Sequence, residues 1–190
     1  MNSFVRLGLD LSLVVPIETL ERHYQKLAKS AHPDAGGSES EFSEILSAYE
    51  ELKSPARRIK AAVMSLQAAP EERGAVPSQV VDLFSPVASA LEEVEGFLED
   101  RAQARSGLAR ALFDAKVPEL NKTLNSLQQE LAELESAFIA KFPSIDAAGW
   151  QASLSEMKEL SRGLAFLEKW RAQLRGATGK LFEVLLGGAT

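Results

Sequence analysis

The residues most suited to chemistry are the tripeptide His32-Pro33-Asp34, which combines an imidazole, a rigid ring and a carboxylate. A histidine changes charge near neutral pH, and an aspartate accepts charge-assisted hydrogen bonds. By composition alone, this tripeptide would occur in such a chain with a probability on the order of one per cent. The plain alternative is a helix stop and a turn, because Pro, Asp and the following Gly36 and Gly37 are the usual turn residues.

A row of cations precedes the tripeptide. Arg22, Lys26 and Lys29 follow the spacing i, i+4, i+7, which places them along one stripe of a helix. Such a stripe can dock on an acidic partner, and it can equally be an ordinary solvated helix surface.

The composition argues against most catalytic and metal chemistry. The 190-residue chain has a formal net charge of −6, no cysteine and two histidines, His23 and His32. Without cysteine there are no disulfides, thiolate zinc sites or cysteine nucleophiles, and two histidines leave little for a metal site or a catalytic triad. The negative charge argues against nucleic-acid binding. We therefore predict a protein that is not an enzyme, with no catalytic residues, cofactor, metal or nucleic-acid partner, and we expect His23 on a helix surface.

An acidic run in the middle of the chain could suggest a cation site. It lacks the turn glycine and the alternate spacing of a calcium loop, so we interpret it as a solvated helix face: Glu92, Glu93, Glu95, Glu99 and Asp100.

The chain contains no targeting or membrane signal. Met1–Asp10 does not resemble a signal peptide, and no apolar stretch reaches eighteen residues. We therefore expect a cytoplasmic protein without a membrane partner.

Two helices are predicted in the segment that leads up to the tripeptide. A short helix is expected around Ser3–Leu9, followed by a loop at Leu13–Val15. Pro16 opens the second helix, where its missing N–H costs nothing in the first turn, and Pro33 ends it. Apolar residues at three- and four-residue steps form its inward face: Ile17, Leu20, Tyr24, Leu27 and Ala31.

Two further helices follow the tripeptide. Ser38 and Glu41 have the spacing of a capping box, so a third helix begins there and runs to about Lys53. Ser54-Pro55 starts a fourth helix that extends to Leu66. The pattern predicts an antiparallel helical hairpin with a short helix at either end. The inward residues of the third helix are Phe42, Ile45, Tyr49 and Leu52.

The rest of the chain predicts an all-α bundle. Pro70, Gly74 and Pro77 mark a junction, which divides the chain into residues 1–68, a junction at 69–78 and a C-terminal bundle at 79–190. Three apolar stripes at helical spacing predict a three-helix bundle or an antiparallel coiled coil, and the first pattern can continue past Leu108 to Phe113. The stripes begin with Val81, Phe84, Val87, Leu91, Val94 and Leu98; with Leu120, Leu124 and Leu127; and with Trp150, Leu154 and Met157.

The first 66 residues resemble a J-domain. They contain, in order, Phe4-x-x-Leu7-Gly8-Leu9, Tyr24-x-x-Leu27-Ala28, His32-Pro33-Asp34, Phe42-x-x-Ile45 and Ala48-Tyr49. A J-domain is the module by which DnaJ-type co-chaperones engage the ATPase domain of a DnaK/HscA-class heat-shock chaperone. The fold implied is the antiparallel hairpin with two flanking helices.

The resemblance assigns roles to the two candidate sets. His32, Pro33 and Asp34 would trigger ATP hydrolysis in the chaperone. The second helix would dock on an acidic chaperone surface, with Arg22, Lys26 and Lys29 as its cations. Glu21 and Gln25 stand where many DnaJ proteins are basic, and Ala31 replaces the usual aromatic residue. These departures predict weaker electrostatic steering.

A finer resemblance is to HscB-type J-proteins of iron–sulfur cluster assembly. It rests on Leu52-Lys53-Ser54-Pro55-Ala56-Arg57-Arg58, on Val63-Met64-Ser65-Leu66 and on the sequence around Leu164-Ala165-Phe166-Leu167. The layout is also similar, a J-domain and a helical bundle without a Gly/Phe-rich linker. The first bundle helix lacks the acidic, Leu/Met-rich sequence that is typical of that family, and the middle helix is longer than in that family.

Two functional hypotheses remain open. The first is a co-chaperone that stimulates a DnaK/HscA-class chaperone and presents a protein client through its bundle; in the HscB version the client is the iron–sulfur scaffold. The resemblance then places the client-binding patch at Val81, Phe84 and Phe166, whose alternative role is core packing. The second is a structural or adaptor protein that keeps a J-like hairpin and acts through coiled-coil contacts. The oligomeric state is not determined by the sequence.

Overall fold

The computed structural model describes residues 2–32, 34, 36–66 and 74–187. These residues form nine α-helices and no strand. The helices are α1 (Ser3–Arg6), α2 (Ile17–Ala31), α3 (Glu39–Lys53), α4 (Pro55–Ser65), α5 (Ser78–Gln103), α6 (Gly107–Asp114), α7 (Val117–Ile139), α8 (Phe142–Ala148) and α9 (Leu154–Gly187).

The chain divides into two compact units. The first unit combines Met1–Val76 with Ala137–Ala165, and the second combines Pro77–Ser136 with Phe166–Thr190. Of the predicted junction at 69–78, residues 69–73 lie outside the described residues. The division into 1–68, 69–78 and 79–190 therefore stays a prediction.

The helical hairpin predicted near the N-terminus is confirmed. Pro16 lies at the N-cap of α2, and the Ser38 hydroxyl accepts a hydrogen bond from the Glu41 amide at 3.1 Å, as its capping spacing predicts. The Tyr24 and Tyr49 rings stack at 4.4 Å between α2 and α3. This pairing holds the two helices together with a core that includes Leu20, Ala31, Ile45, Ala48 and Leu52.

Five of the side-chain positions predicted for the hairpin differ in the structure. Two of them, Tyr24 and Leu27, were predicted to face inward and are only half-buried. Ile17 and Phe42, predicted to face inward, are exposed and half-buried respectively, because each lies in the first turn of its helix at the hairpin's margin. His23, predicted on a helix surface, is half-buried, and its Nδ1 lies 2.9 Å from the Leu7 carbonyl oxygen. The α1–α2 connection folds back over α2, which a helix pattern alone does not reveal.

A long-range hydrogen-bond cluster fixes the loop before α2. Asp146 of α8 accepts hydrogen bonds from the Leu13 amide at 2.9 Å, the Val14 amide at 3.1 Å, the Ser12 hydroxyl at 2.7 Å and the Trp150 indole at 2.7 Å. Partial burial raises the pKa of Asp146, but these four donors outweigh it and hold the pKa below its usual value. We call Asp146 and its donors the Asp146 latch.

The same loop is held from its other side by Arg58 of α4. The Arg58 guanidinium donates to the Leu52 carbonyl at 2.7 Å and to the Leu13 carbonyl at 2.9 Å. Burial lowers the pKa of Arg58, and its two carbonyl acceptors supply the hydrogen bonds that a buried guanidinium requires. Both polar groups of Leu13, which is itself fully buried, are thereby bonded.

The second unit contains the predicted three-helix bundle. The Phe84 ring lies 4.9 Å from the Phe166 ring, and Arg101 donates to the Val184 carbonyl at 3.3 Å. From the first of these contacts to the second, the residue number increases along both α5 and α9, so these two helices run parallel. The middle helix α7 runs antiparallel to α9, because Gln128 bonds to Thr178 and Glu135 pairs with Arg171.

The apolar stripe of α5 is rotated by about one residue from the predicted one. Val87 and Val94 are buried as predicted. At each of the other predicted positions, the apolar residue immediately before it in the sequence is buried in its place. The sequence contains two adjacent apolar rows at helical spacing, and only the packing of the bundle determines which of the two is buried. The buried residues are Val80, Leu83, Val87, Ala90, Val94 and Phe97.

The predicted continuation of α5 to Phe113 is wrong. The helix ends at Gln103, and α6 begins anew with the Ser106 hydroxyl accepting from the Ala109 amide at 3.1 Å. The structure also adds the short helix α8, which Gly149 ends with a φ of +87°. No helix in the described part of the chain is long and apolar enough to cross a bilayer.

Candidate functional site

The loop between α2 and α3 has a backbone that depends on glycine. His32 ends α2 with an extended ψ of 136°, and its carbonyl accepts from the Gly37 amide at 3.1 Å. Gly36 has a φ of +88°, which favours glycine. A Cβ added at Gly37 would lie 2.1 Å from the Ala31 carbonyl oxygen, so only glycine fits there.

His32 is held in place on one side of this loop. Its ring meets the Phe42 ring edge-on at 5.6 Å, and Nδ1 accepts a hydrogen bond from the Asp34 amide at 3.2 Å. The side chain is nevertheless 49% exposed, which leaves it accessible to a partner.

Asp34 is almost fully exposed to solvent. Its side chain is 92% exposed, and its Oδ2 lies 3.5 Å from His32 Nδ1. Pro33 lies outside the described residues. The structure thus brings His32 and Asp34 together, with a carboxylate directed to solvent beside a fixed imidazole.

A shallow groove of about 520 Å³ adjoins the two residues. Its walls combine aromatic and apolar side chains with the charged groups of the loop and of Lys29. Tyr24 and Phe42 were assigned to the inward helix faces by sequence, and their contribution to this groove was missed. The lining residues are Tyr24, Gln25, Ala28, Lys29, His32, Asp34 and Phe42.

The three cations of α2 form the expected stripe. Arg22, Lys26 and Lys29 are all exposed, and none forms an ion pair with another residue that the structure describes. Seven residues of helix place Arg22 about 10 Å from Lys29, which itself lines the groove. The stripe therefore leads along α2 to the loop of His32 and Asp34.

The predicted client residues lie in the second unit around an aromatic cluster. The Phe84 ring packs on Phe166 and, at 4.8 Å, on the buried Trp170. Phe84 is nevertheless 41% exposed, Val81 is 53% exposed, and Phe166 is half-buried. None of the three predicted residues is fully buried, so the surface can contact another molecule.

A groove of about 280 Å³ lies between α5 and α9. Its walls carry apolar side chains and one exposed glycine, and each helix contributes one charged residue. No sequence pattern identified it, since it arises from the parallel packing of two helices far apart in the chain. The lining residues are Leu91, Val94, Glu95, Leu98, Gln173, Gly176, Ala177 and Lys180.

The acidic run on α5 is exposed, as expected. Within the described ranges 2–32, 34, 36–66 and 74–187, no group of three or more His, Cys, Asp or Glu side chains could hold a metal ion.

Comparison with known proteins addresses the fold. No protein-family model matches the chain, and no curated protein matches its sequence. Among solved structures, the chaperone HscB from Vibrio cholerae is similar, with a TM-score of 0.65 and 22% sequence identity. The similarity covers 95% of this chain and 99% of that chain. The chain therefore has the HscB fold, an N-terminal J-domain followed by a C-terminal helical bundle.

Proposed function

We propose that this protein is a co-chaperone that stimulates ATP hydrolysis by a DnaK/HscA-class heat-shock chaperone in the cytoplasm. The main observation in support of this proposal is the position of Asp34. Its carboxylate is highly exposed and lies beside the His32 imidazole at the tip of a J-type hairpin. Such a carboxylate contributes nothing to packing, and it can make a charge-assisted contact with a partner.

Chaperone docking is assigned to α2 and the loop. The cations Arg22, Lys26 and Lys29 would face an acidic chaperone surface, and His32, Pro33 and Asp34 would contact the ATPase domain. The 520 Å³ groove beside them has an apolar floor that can receive a side chain of the chaperone. Because the hydrolysing groups belong to the chaperone, the protein itself is not an enzyme.

Client presentation is assigned to the second unit. Val81 and Phe84 expose apolar surface, and Phe166 supports the Phe84 ring from α9. Exposed aromatic and apolar side chains of this kind are typical anchors of protein interfaces. We propose the iron–sulfur cluster scaffold as the client, by similarity of the fold and layout to HscB.

The client assignment is tested by binding of the purified scaffold to the full-length protein. Phe84→Ser is expected to weaken binding by about tenfold or more, since an interface anchor contributes on the order of 2 kcal/mol. Val5→Asp, which changes another exposed apolar residue in the first unit, is the matched control. Equal affinities of both variants and the wild type would contradict the assignment.

The adaptor hypothesis makes the opposite prediction for ATP hydrolysis. We expect the full-length protein to accelerate single-turnover hydrolysis by a purified DnaK/HscA-class chaperone. A chaperone rate that does not change at saturating protein would favour the adaptor, because a merely structural hairpin does not need an exposed His32 and Asp34.

A further inference from the structure

A narrow groove lies between α4 and the N-terminal third of α9, and both of its walls belong to the first unit. Its volume is about 210 Å³. Neither the α2–α3 loop nor the client residues line it, so the functions proposed above leave it without a role. We call it the α4–α9 groove, and its lining residues are Lys60, Val63, Met64, Lys158, Ser161, Arg162 and Ala165.

The charges that line this groove all have one sign. Lys60 stands on the α4 wall, and Lys158 and Arg162 stand on the α9 wall. Among the residues that the structure describes, no acid lines the groove, and α4 contains no Asp or Glu. The groove therefore presents three positive charges at neutral pH.

The acids that follow one another on α9 do not cancel this charge. Glu156 forms an ion pair with Lys141 at 3.3 Å, so its charge is already balanced. Glu159 is half-buried and lies roughly 100° around α9 from the lysine that lines the groove. The exposed Arg57, one turn before the lysine of α4, supplies a further positive charge that offsets Glu159.

The segment that follows α4 does not balance the groove either. Residues 67–73 lie outside the described residues, and their sequence contains two acids, Glu71 and Glu72, and one base, Arg73. The net charge of this segment is −1. The three cations of the groove would therefore keep an excess of positive charge even with the whole segment beside them.

Arg162 is already oriented in its wall of the groove. Its Nε donates a hydrogen bond to the Ala75 carbonyl oxygen at 2.7 Å. The guanidinium lies against Gly74, where an added Cβ would come within 2.5 Å of Cζ. A guanidinium that is held in this way loses little conformational entropy when it pairs with a carboxylate.

The floor of the groove is apolar. Val63 is buried, Met64 is 52% exposed, and Ala165 is exposed on the opposite wall. Small-molecule sites typically enclose about 300–1,000 Å³, so this groove is too small for such a ligand and suits a single side chain. The flexible methionine can adapt its shape to that side chain.

We propose that the α4–α9 groove binds an acidic peptide segment of a partner protein. One apolar side chain of the segment packs on Met64 and Val63, and carboxylates on either side of it pair with Lys60 and Arg162. The charge of the walls favours an acidic partner, and the recessed floor favours a side chain over a flat membrane surface. The inference is independent of the proposed chaperone function, since it uses none of the residues of the α2–α3 loop.

Fluorescence anisotropy of the full-length protein with labelled peptides tests the chemistry of the partner. The probe is a peptide in which one leucine stands between two pairs of glutamates. We expect saturable binding that weakens at high salt. Replacing the four glutamates by glutamine, or the leucine by glycine, should lower the affinity on the order of tenfold.

Paired variants of the protein locate the binding site. Lys60→Glu/Arg162→Glu should weaken binding on the order of tenfold or more, and Lys60→Glu alone, at an exposed residue, should weaken it in the same direction. Arg105→Glu/Arg175→Glu makes the same change of charge at exposed residues of the second unit and should bind as the wild type does. Circular dichroism of each variant verifies that the helices remain.

Four results would overturn the proposal. They are a glutamate peptide that binds no better than the glutamine peptide, equal weakening by the two double variants, a more than tenfold gain in affinity from Glu71→Gln/Glu72→Gln, and oligomers in light scattering that only Lys60→Glu/Arg162→Glu disperses. The third result would make segment 67–73 the occupant of the groove, and the fourth would make it a second copy of this chain.

Discussion

At the scale of single residues, the loop between α2 and α3 contains one set of residues that shapes its backbone and another set that is exposed to a partner. Glycines shape the backbone, whereas His32 and Asp34 expose polar groups without contributing to the core. The tripeptide could be found from its sequence because its residue types are unusual together. The supporting Phe42 ring and the close approach of Gly37 to Ala31 could not, since both depend on how the chain reverses.

Gly37→Ala is expected to destabilise the protein by more than about 1 kcal/mol. The new Cβ would overlap the Ala31 carbonyl, a backbone atom that cannot move aside without distorting the end of α2. Urea unfolding measures the change. Gly96→Ala is the matched control, because its Cβ would meet nothing within 4 Å in the middle of α5 and should stabilise by roughly 0.5–1 kcal/mol. A Gly37→Ala protein as stable as the wild type would contradict the close contact.

At the scale of helices, local signals in the sequence predicted boundaries well. Pro16, Ser38 and Ser54-Pro55 all begin helices where the pattern placed them. Contacts between distant segments were not predictable. The Asp146 latch joins residues more than 130 positions apart, and the bond from His23 to Leu7 depends on the fold of the α1–α2 connection.

The Asp146 latch should make stability depend on pH. Its hydrogen-bond donors hold the folded pKa of Asp146 below the ordinary value of 3.8, so the unfolded chain binds the proton more tightly. The stabilisation is therefore present above about pH 4 and is lost as the pH falls through the folded pKa.

Asp146→Asn should remove this dependence. Since the amide keeps one acceptor oxygen but loses the charge, we expect a loss of about 1–3 kcal/mol at pH 7 and a smaller loss below pH 3. Thermal unfolding of the wild type and the variant between pH 2.5 and pH 7 measures the difference. A stability gap that stays constant over this range would contradict the role of the Asp146 charge.

At the scale of the whole chain, the N-terminal hairpin shares its unit with residues 137–165. Phe4 packs on Trp150 with ring centroids 5.6 Å apart, and the latch adds the bonds from Leu13 and Val14. The sequence pattern assigns residues 137–165 to the C-terminal bundle, because their apolar residues continue the helical spacing of the bundle helices. The first unit is therefore discontinuous in sequence.

Limited proteolysis is expected to cut first near Glu71–Gly74, from the Pro and Gly content of the surrounding segment. The two fragments should stay associated after the cut, since residues 137–165 pack in the same unit as residues 1–76. Mass spectrometry locates the cut, and size-exclusion chromatography tests the association. Cutting first within Leu120–Phe138 would contradict the proposed boundary.

The most direct test of the central claim compares Asp34→Asn with Asp10→Asn in single-turnover ATP hydrolysis by the chaperone. Both side chains are exposed acids of the first unit, and surface changes of this kind shift stability by no more than about 0.5 kcal/mol. The account predicts that Asp34→Asn abolishes stimulation, because truncating a charge-assisted contact at an interface costs about 2–5 kcal/mol. Asp10→Asn should stimulate as the wild type does, and both variants should keep the wild-type circular dichroism. Full stimulation by Asp34→Asn would contradict the co-chaperone mechanism.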